Sequence, residues 1–528
     1  MKFTSAALSS LVLLSTVFNR STRTFSSRLS SSSFASAESV PPPRRLFVVE
    51  EPEEDQHDAQ EEETRNLKKK KRPKTPKTPK ASKTPKAPKG GVLTAAPSTP
   101  SSSQPSNGPT NSSQPSVSSM PSVVPWKKLG ADIEGDSKYY NTGQAVSLST
   151  DGTIMAVGSP GAEYYSSGGF YSGIVRVYEW NDTTSSWDQK GPDIGNAQAG
   201  ENFGESVSLS RDGTIVAIGA PSNDADGSNS GAARVFQWND TFSYWQQVGS
   251  DIIGAADYDS FGTSISLSSD GTVVAIGATG NDDGGNNAGH VQVYEWNVGT
   301  WGQKGADIIG EVFGDKSGTS IALSGDASVI VIGSPYGGGV GAKGKVRVYE
   351  WDGDSWEKKG LDIDGECAND AFGRTVSIST NGSIIAVGGW ANDDNGENSG
   401  HARVYEWDGD SWEQMGADID GEAAGDAAGT SVSLSSDGTI IAIGSSNSSS
   451  SNGDYAGSVR LFEWNDSTSS WEQKGTVIDG EAKCDWSGDQ VALSGDGSIV
   501  AIGTLGNDGD NDNDYYQSGH VRVYKYIH

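Results

Sequence analysis

This chain has little of what most protein chemistry needs. Its 528 residues include two cysteines, Cys367 and Cys484, and five histidines. Two thiols exclude a disulfide framework and a thiolate zinc cluster. Both precede the same repeat element two repeats apart, so a bridge between leaning loops and two free thiols both fit the spacing. No run after Phe18 approaches 18 apolar residues, so no membrane-spanning segment is expected in the mature chain. No stretch shows helical periodicity with caps, and there is no zinc-protease helix, nucleophile elbow or phosphate loop. Positive charge is scarce from Trp126 onward, where 21 Lys+Arg stand against 59 Asp+Glu, a net of −38. Before Trp126 the count is 18 against 10, a net of +8. The acidic body excludes nucleic acid and anionic membrane as partners and favours cations or basic groups; the same charge also keeps a secreted protein in solution.

The first 18 residues, "MKFTSAALSSLVLLSTVF", have one lysine and an apolar run too short to span a membrane, the layout of a secretory signal. Arg20, Arg23 and Arg28, with no acid before Glu38, also suit import into an organelle. Residues 19–125 pass from an acidic stretch through "KKKKRPKTPKTPKASKTPKAPK" to a Ser/Pro/Thr-rich segment. With few apolar residues to offset chain entropy, this region is expected to be disordered. Its Lys/Pro part is a semi-rigid basic strap suited to an anionic polymer or surface, and its Ser/Thr/Pro part reads as a stalk.

What the body does have is repetition. A tryptophan opening "WxxxGxDI" recurs at Trp126, Trp187, Trp245, Trp301, Trp356, Trp412 and, with Val477 in place of the aspartate, Trp471. Each is followed by segments like "VSLSxDG", "TIIAIG" and "VRVYEW". "SxDG" is a tight turn, "TIIAIG" is apolar throughout like a strand covered on both faces, and "VRVYEW" alternates. Each unit therefore supplies four strands that cannot bury both faces alone, and seven arranged radially can. The expected fold is all-β, a seven-bladed β-propeller over 126–528. Tryptophan pairs such as Trp407 and Trp412 flank the hairpin between third and fourth strands. The chain ends on a third strand with Tyr526 in the tryptophan position and begins on an orphan fourth strand at Trp126, which predicts a 3+1 closure pairing Trp126 with Tyr526.

Phe203-Gly204 with Gly219-Ala220-Pro221, Phe261-Gly262, Phe372-Gly373, Gly158-Ser159-Pro160 and Gly333-Ser334-Pro335 resemble the FG-GAP repeat, the blade of the integrin α-subunit propeller. The resemblance spans about 126–528 and implies the propeller fold; the family's partners vary, and kelch and WD40 patterns fit less well. In the integrin propeller calcium sits in a long acidic loop between first and second strands. Here that connection is the short "SxDGT" turn, so those sites do not carry over.

Strand order puts the 1–2 and 3–4 turns on one face and the longer 2–3 and 4–1 loops on the other, the face that usually binds in propellers resembling this one. Sequons stand at Asn181, Asn239, Asn381, Asn447 and Asn465, and only Asn447 falls on the long-loop face. Three residues before the glycine that opens the first strand stand Glu201, Asp259, Asp315, Asp370, Asp426 and Asp485, with Tyr140 in the first unit. These are expected either to ring the channel mouth and hold a cation or a basic side chain, or to accept backbone N–H bonds in their own turns. Asp224 and Asp226, and Asp508, Asp510, Asp512 and Asp514, are candidate oxygen ligands for calcium, against Asn/Asp-Gly turns that need no ion. His290, His401 and His520 share one repeat position, which suggests a structural role. The function expected is a secreted or cell-surface binding or adhesion module meeting a protein or glycan, with calcium as a candidate cofactor. The alternatives are a matrix or cell-wall component held by the Lys/Pro strap and, with less support in the residues, a propeller hydrolase with Asp370 and Asp426 as its test pair.

Overall fold

A computed structural model describes residues 125–163, 171–195, 198–338, 341–506 and 517–527. The leader, the linker through residue 124 and the aspartates at 508, 510, 512 and 514 lie outside the described residues. The described residues form seven antiparallel sheets, the blades of a propeller. No helix among them is long and apolar enough to cross a membrane. In the third blade the strands run Phe261–Leu267, Val273–Ala278, His290–Asn297 and Thr300–Gln303, inner to outer. The seventh is Ser487–Leu493, Ile499–Thr504 and His520–Tyr526, completed by Trp126–Lys128 from the other end of the chain. Trp126 is paired with Tyr526, ring centroids 5.2 Å apart, and the ring is closed.

The second strand of a blade is buried on both sides, as in "VVAIGA" of Val273–Ala278 and "IIAIGS" of Ile440–Ser445. Side chains from neighbouring blades make one core between them: Ala217, Val235 and Ile252 of the second blade pack with Val274 and Ile276 of the third. The glycine that ends this apolar strand lets two backbones meet. A Cβ on Gly219 would sit 2.1 Å from the carbonyl oxygen of Gly262 in the next blade, and one on Gly277 2.3 Å from that of Gly318. Gly262 itself adopts φ +94°, open to glycine at no steric cost. The recurrent glycines are thus the two sides of one interblade contact.

Two circuits of hydrogen bonds reinforce it. Around the 1–2 turns a closed ring of backbone bonds runs Thr150–Arg211–Ser269–Gly325–Thr380–Ser436–Gly495 and back to Thr150, each 2.7–2.9 Å. Around the outside, the second tryptophan of each pair does more than face its neighbour. Its indole N–H donates to a backbone carbonyl of the preceding blade, Trp301 to Val248 and Trp126 to Lys474, with all seven at 2.7–3.0 Å. The outer strand comes in two pieces. In the third blade Thr300–Gln303 breaks at Gly305, φ +80°, and Ile308–Ile309 returns to the start of the third strand. That return carries the aspartate of "GxDI" to the rim.

Candidate functional site

The two rims differ in construction. On the hairpin rim each "SxDG" turn is locked: Asp270 Oδ1 accepts the amide and hydroxyl of Thr272 and the hydroxyl of Ser268. Burial opposes ionisation of these aspartates, but the donors outweigh it and hold Asp151, Asp212, Asp270, Asp326, Asp437 and Asp496 below the usual carboxylate range. Asn381 fills the same role in the fifth blade. Asn181, Asn239 and Asn465 cap their 3–4 hairpins, accepting the amides of Thr183, Thr241 and Ser467. Asn447 is half-buried in a 2–3 loop on the other rim.

On the long-loop rim each 4–1 loop is zipped to the 2–3 loop of the preceding blade. Tyr258, Ser260 and Phe261 donate backbone N–H bonds to Ser228, Asn229 and Ser230. The recurrent acid in this loop lies between two left-handed residues, as Asp259 does between Tyr258 (φ 65°) and Ser260 (φ 55°). That geometry turns the carboxylate inward. Glu201, Asp259, Asp315, Asp370 and Asp485 are buried, and Asp426 is half-buried. Asp315 accepts amides of Glu311, Val312 and Gly338 and pairs with Arg347. Asp485 accepts those of Glu481 and Ala482, Asp370 that of Cys367, and Asp426 that of Ala423. Glu201 is held by Asn223 and Arg234, and Asp259 by Asn281. Asp315, Asp370, Asp426 and Asp485 thus accept backbone amides of their own loops, while Glu201 and Asp315 each hold an arginine and Asp259 an asparagine amide. Burial raises Asp259, Asp426 and Asp485 above the usual range despite their donors.

The channel mouth is lined instead by the residue after each first-strand glycine: Gln144, Glu205, Thr263, Thr319, Arg374, Thr430 and Asp489, around a cavity of about 260 Å³. Burial pushes the Glu205 and Asp489 carboxyls up, against the pull of Arg374. Next down the channel, Ser206, Ser264, Ser320, Thr375 and Ser431 donate to the glycine carbonyl of the following blade. No motif marks the mouth, because the position is threonine in three blades and glutamine, glutamate, arginine or aspartate in the others.

In the 2–3 loop Asp224 accepts the Asn229 amide, which closes the loop on itself; Asp226 is exposed beside it. The groupings of possible metal ligands among the described residues lie elsewhere, at Asp283, His290 and Asp307; at Glu366, Asp394, His401 and Asp418; and at Asp132, Glu134 and His520. All three histidines are buried at the start of a third strand. Burial, then the charge of Arg522, holds His520 neutral, down to about 3. Cys367 is exposed, Cys484 is half-buried, and both are free thiols. The long-loop rim also exposes aromatic side chains: Tyr139, Tyr171, Tyr258, Phe313, Tyr336 and Tyr455.

The family model of the FG-GAP repeat matches residues 195–236, 253–294 and 362–405. Three segments of the chain are FG-GAP repeats. No curated protein matches the chain. The matched stretches fall on the second, third and fifth blades of the propeller, those with Phe203, Phe261 and Phe372 buried before the glycine. The other four blades have Thr142, Ser317, Ala428 and Ser487 there. They keep the left-handed glycine, φ +83° to +91°, and with it the interblade contact.

Proposed function

We propose that this FG-GAP propeller is a binding module, secreted or held at the cell surface, whose long-loop rim engages a protein or glycan. The observation that carries the reading is the coincidence, on that rim, of exposed aromatics with exposed acids. Tyr258 is 64% exposed and Phe313 63%, and Asp257, Asp282, Glu311, Asp393 and Glu422 lie in the same loops. Large aromatics left in water among polar residues are the usual anchors of protein and sugar recognition. The acid selects basic or hydroxyl-rich partners and speeds their approach. The hairpin rim, with its locked turns and four of the five sequons, is the face left for solvent and glycans. Calcium is an addition this reading accommodates and does not need.

The test compares two variants of the full-length protein in pull-downs from extracellular extracts and on glycan arrays. Replacing Tyr258, Phe313 and Tyr336 by alanine should weaken capture about tenfold or more, since each anchor contributes roughly 1 kcal/mol or above. Replacing Phe242 and Val298 on the hairpin rim should leave capture unchanged. Equal loss from both, or loss only from the second, contradicts the reading.

A further inference from the structure

One blade breaks a rule that the other six keep. Two residues into the third strand stand Arg176, Arg234, Arg347, Arg403, Arg460 and Arg522, but the third blade has Gln292. In four blades this guanidinium pairs with the aspartate that opens the returning outer piece: Arg176 with Asp193, Arg234 with Asp251, Arg347 with Asp362 and Arg403 with Asp418. In the third blade the equivalent Asp307 receives only the amides of Gln292 and Gln303 on Oδ1. Its Oδ2 faces Nδ1 of His290 across 4.0 Å, too far for a hydrogen bond. The His290 side chain is 3% exposed, and its Nδ1 is buried without a hydrogen-bond partner. Asp283 of the 2–3 loop brings a third donor, and the three donor atoms lie within 4.8 Å of one another. Buried Asp259 adds negative charge to the same pocket. Among the described residues no lysine or arginine forms an ion pair with Asp283 or Asp307.

We propose that His290, Asp307 and Asp283 bind a divalent d-block cation of the zinc type at the rim of the third blade. One imidazole nitrogen with two carboxylates is a zinc-like donor set, whereas calcium takes oxygen alone. Zinc bonds of about 2.0–2.2 Å put tetrahedral ligands roughly 3.3 Å apart, so the cluster needs to close by about an ångström. Exposed Asp283 and part-exposed Asp307 can supply that movement. The histidine clusters of the fifth and seventh blades do not share this character. Arg403 bonds both Glu366 and Asp418, and Lys128 bonds Asp132. In each, a resident cation already pairs with the carboxylates that a metal would need.

The test is calorimetric titration of chelator-treated full-length protein with zinc, alongside visible absorption of the cobalt(II) form. The expected result is a tight equivalent that weakens about a hundredfold or more in both His290→Ala and Gln292→Arg. It should persist in His401→Ala and His520→Ala, and in excess calcium. Gln292→Arg installs the residue that six blades carry, so it keeps the fold; exposed Asp283→Asn serves as a third probe should His290→Ala not fold. Absence of a tight equivalent in the parent protein, its survival in Gln292→Arg and Asp283→Asn, its loss with His401 or His520, or its displacement by calcium would each overturn the assignment.

Discussion

The substitution Gly277→Ala tests the packing of the blades with a single methyl group. Gly277 has no positive φ, so alanine fits its backbone and even restricts the unfolded chain, worth about 0.4–1 kcal/mol in the variant's favour. Any loss is therefore steric. The new Cβ would stand 2.3 Å from the Gly318 carbonyl oxygen and 2.4 Å from Ser264 Oγ, with backbone on one side that cannot swing away. Relief requires the third and fourth blades to part by about an ångström. That strains the Ser264–Gly318 hydrogen bond, now 2.7 Å, and loosens the core between the blades. Overpacking costs roughly 1–3 kcal/mol and the hydrogen bond about 1, which after the gain from the unfolded chain leaves a net loss of about 2–3 kcal/mol. The control is Gly302→Ala in the outer strand, where the nearest atom to a new Cβ is 4.0 Å away; it should be neutral or slightly stabilising. Urea unfolding followed by tryptophan fluorescence reads both. With a slope near 3 kcal/mol/M, the first variant's midpoint falls by about 1 M and the second's does not. Equal midpoints would refute the backbone-to-backbone contact.

Other outcomes follow from the same structure. Trp126→Phe should cost about 1–2 kcal/mol for the lost bond to the Lys474 carbonyl, and Trp126→Ala about 3–5 for the emptied seam, with faster proteolysis of the first strand. Arg347→Ala leaves buried Asp315 without its guanidinium and should cost about 3–5 kcal/mol in chemical denaturation; adding Asp315→Asn should recover part of it. Stability should peak on the acid side of neutrality. The turn aspartates, held below 3.8, stabilise above the unfolded value and lose that contribution as pH falls below about 4. Glu205, Asp259, Asp426, Asp485 and Asp489, pushed above their usual values, contribute below those values and lose it as pH rises through their folded ones. A urea midpoint that climbs steadily from pH 4 to 8 would contradict this.

The propeller was readable because its information is periodic. Seven tryptophans, seven apolar second strands and an unmatched strand at each end leave one way to bury every sheet and close the ring. What repeats in sequence but acts across blades was less visible. The tryptophan pairs suggest a hairpin contact, yet nothing local says that Trp301 donates its N–H to Val248 of the blade before. The acid register at Asp259 and its equivalents was legible as a pattern but not as a direction. The two left-handed residues around each acid decide that it turns inward. Asp307 meets His290 only because the outer strand breaks at Gly305 and returns, and the channel position of Glu205, Arg374 and Asp489 is threonine in three of the other blades, so no motif announces it.

The account rests on the long loops forming the binding rim. A photo-crosslinking residue at Tyr258, and separately at Phe242 on the opposite rim, tests it directly in the full-length protein exposed to extracellular extract. Covalent partner adducts are expected from position 258 and not from 242. Adducts from 242 with none from 258 would place recognition on the hairpin rim and contradict the account.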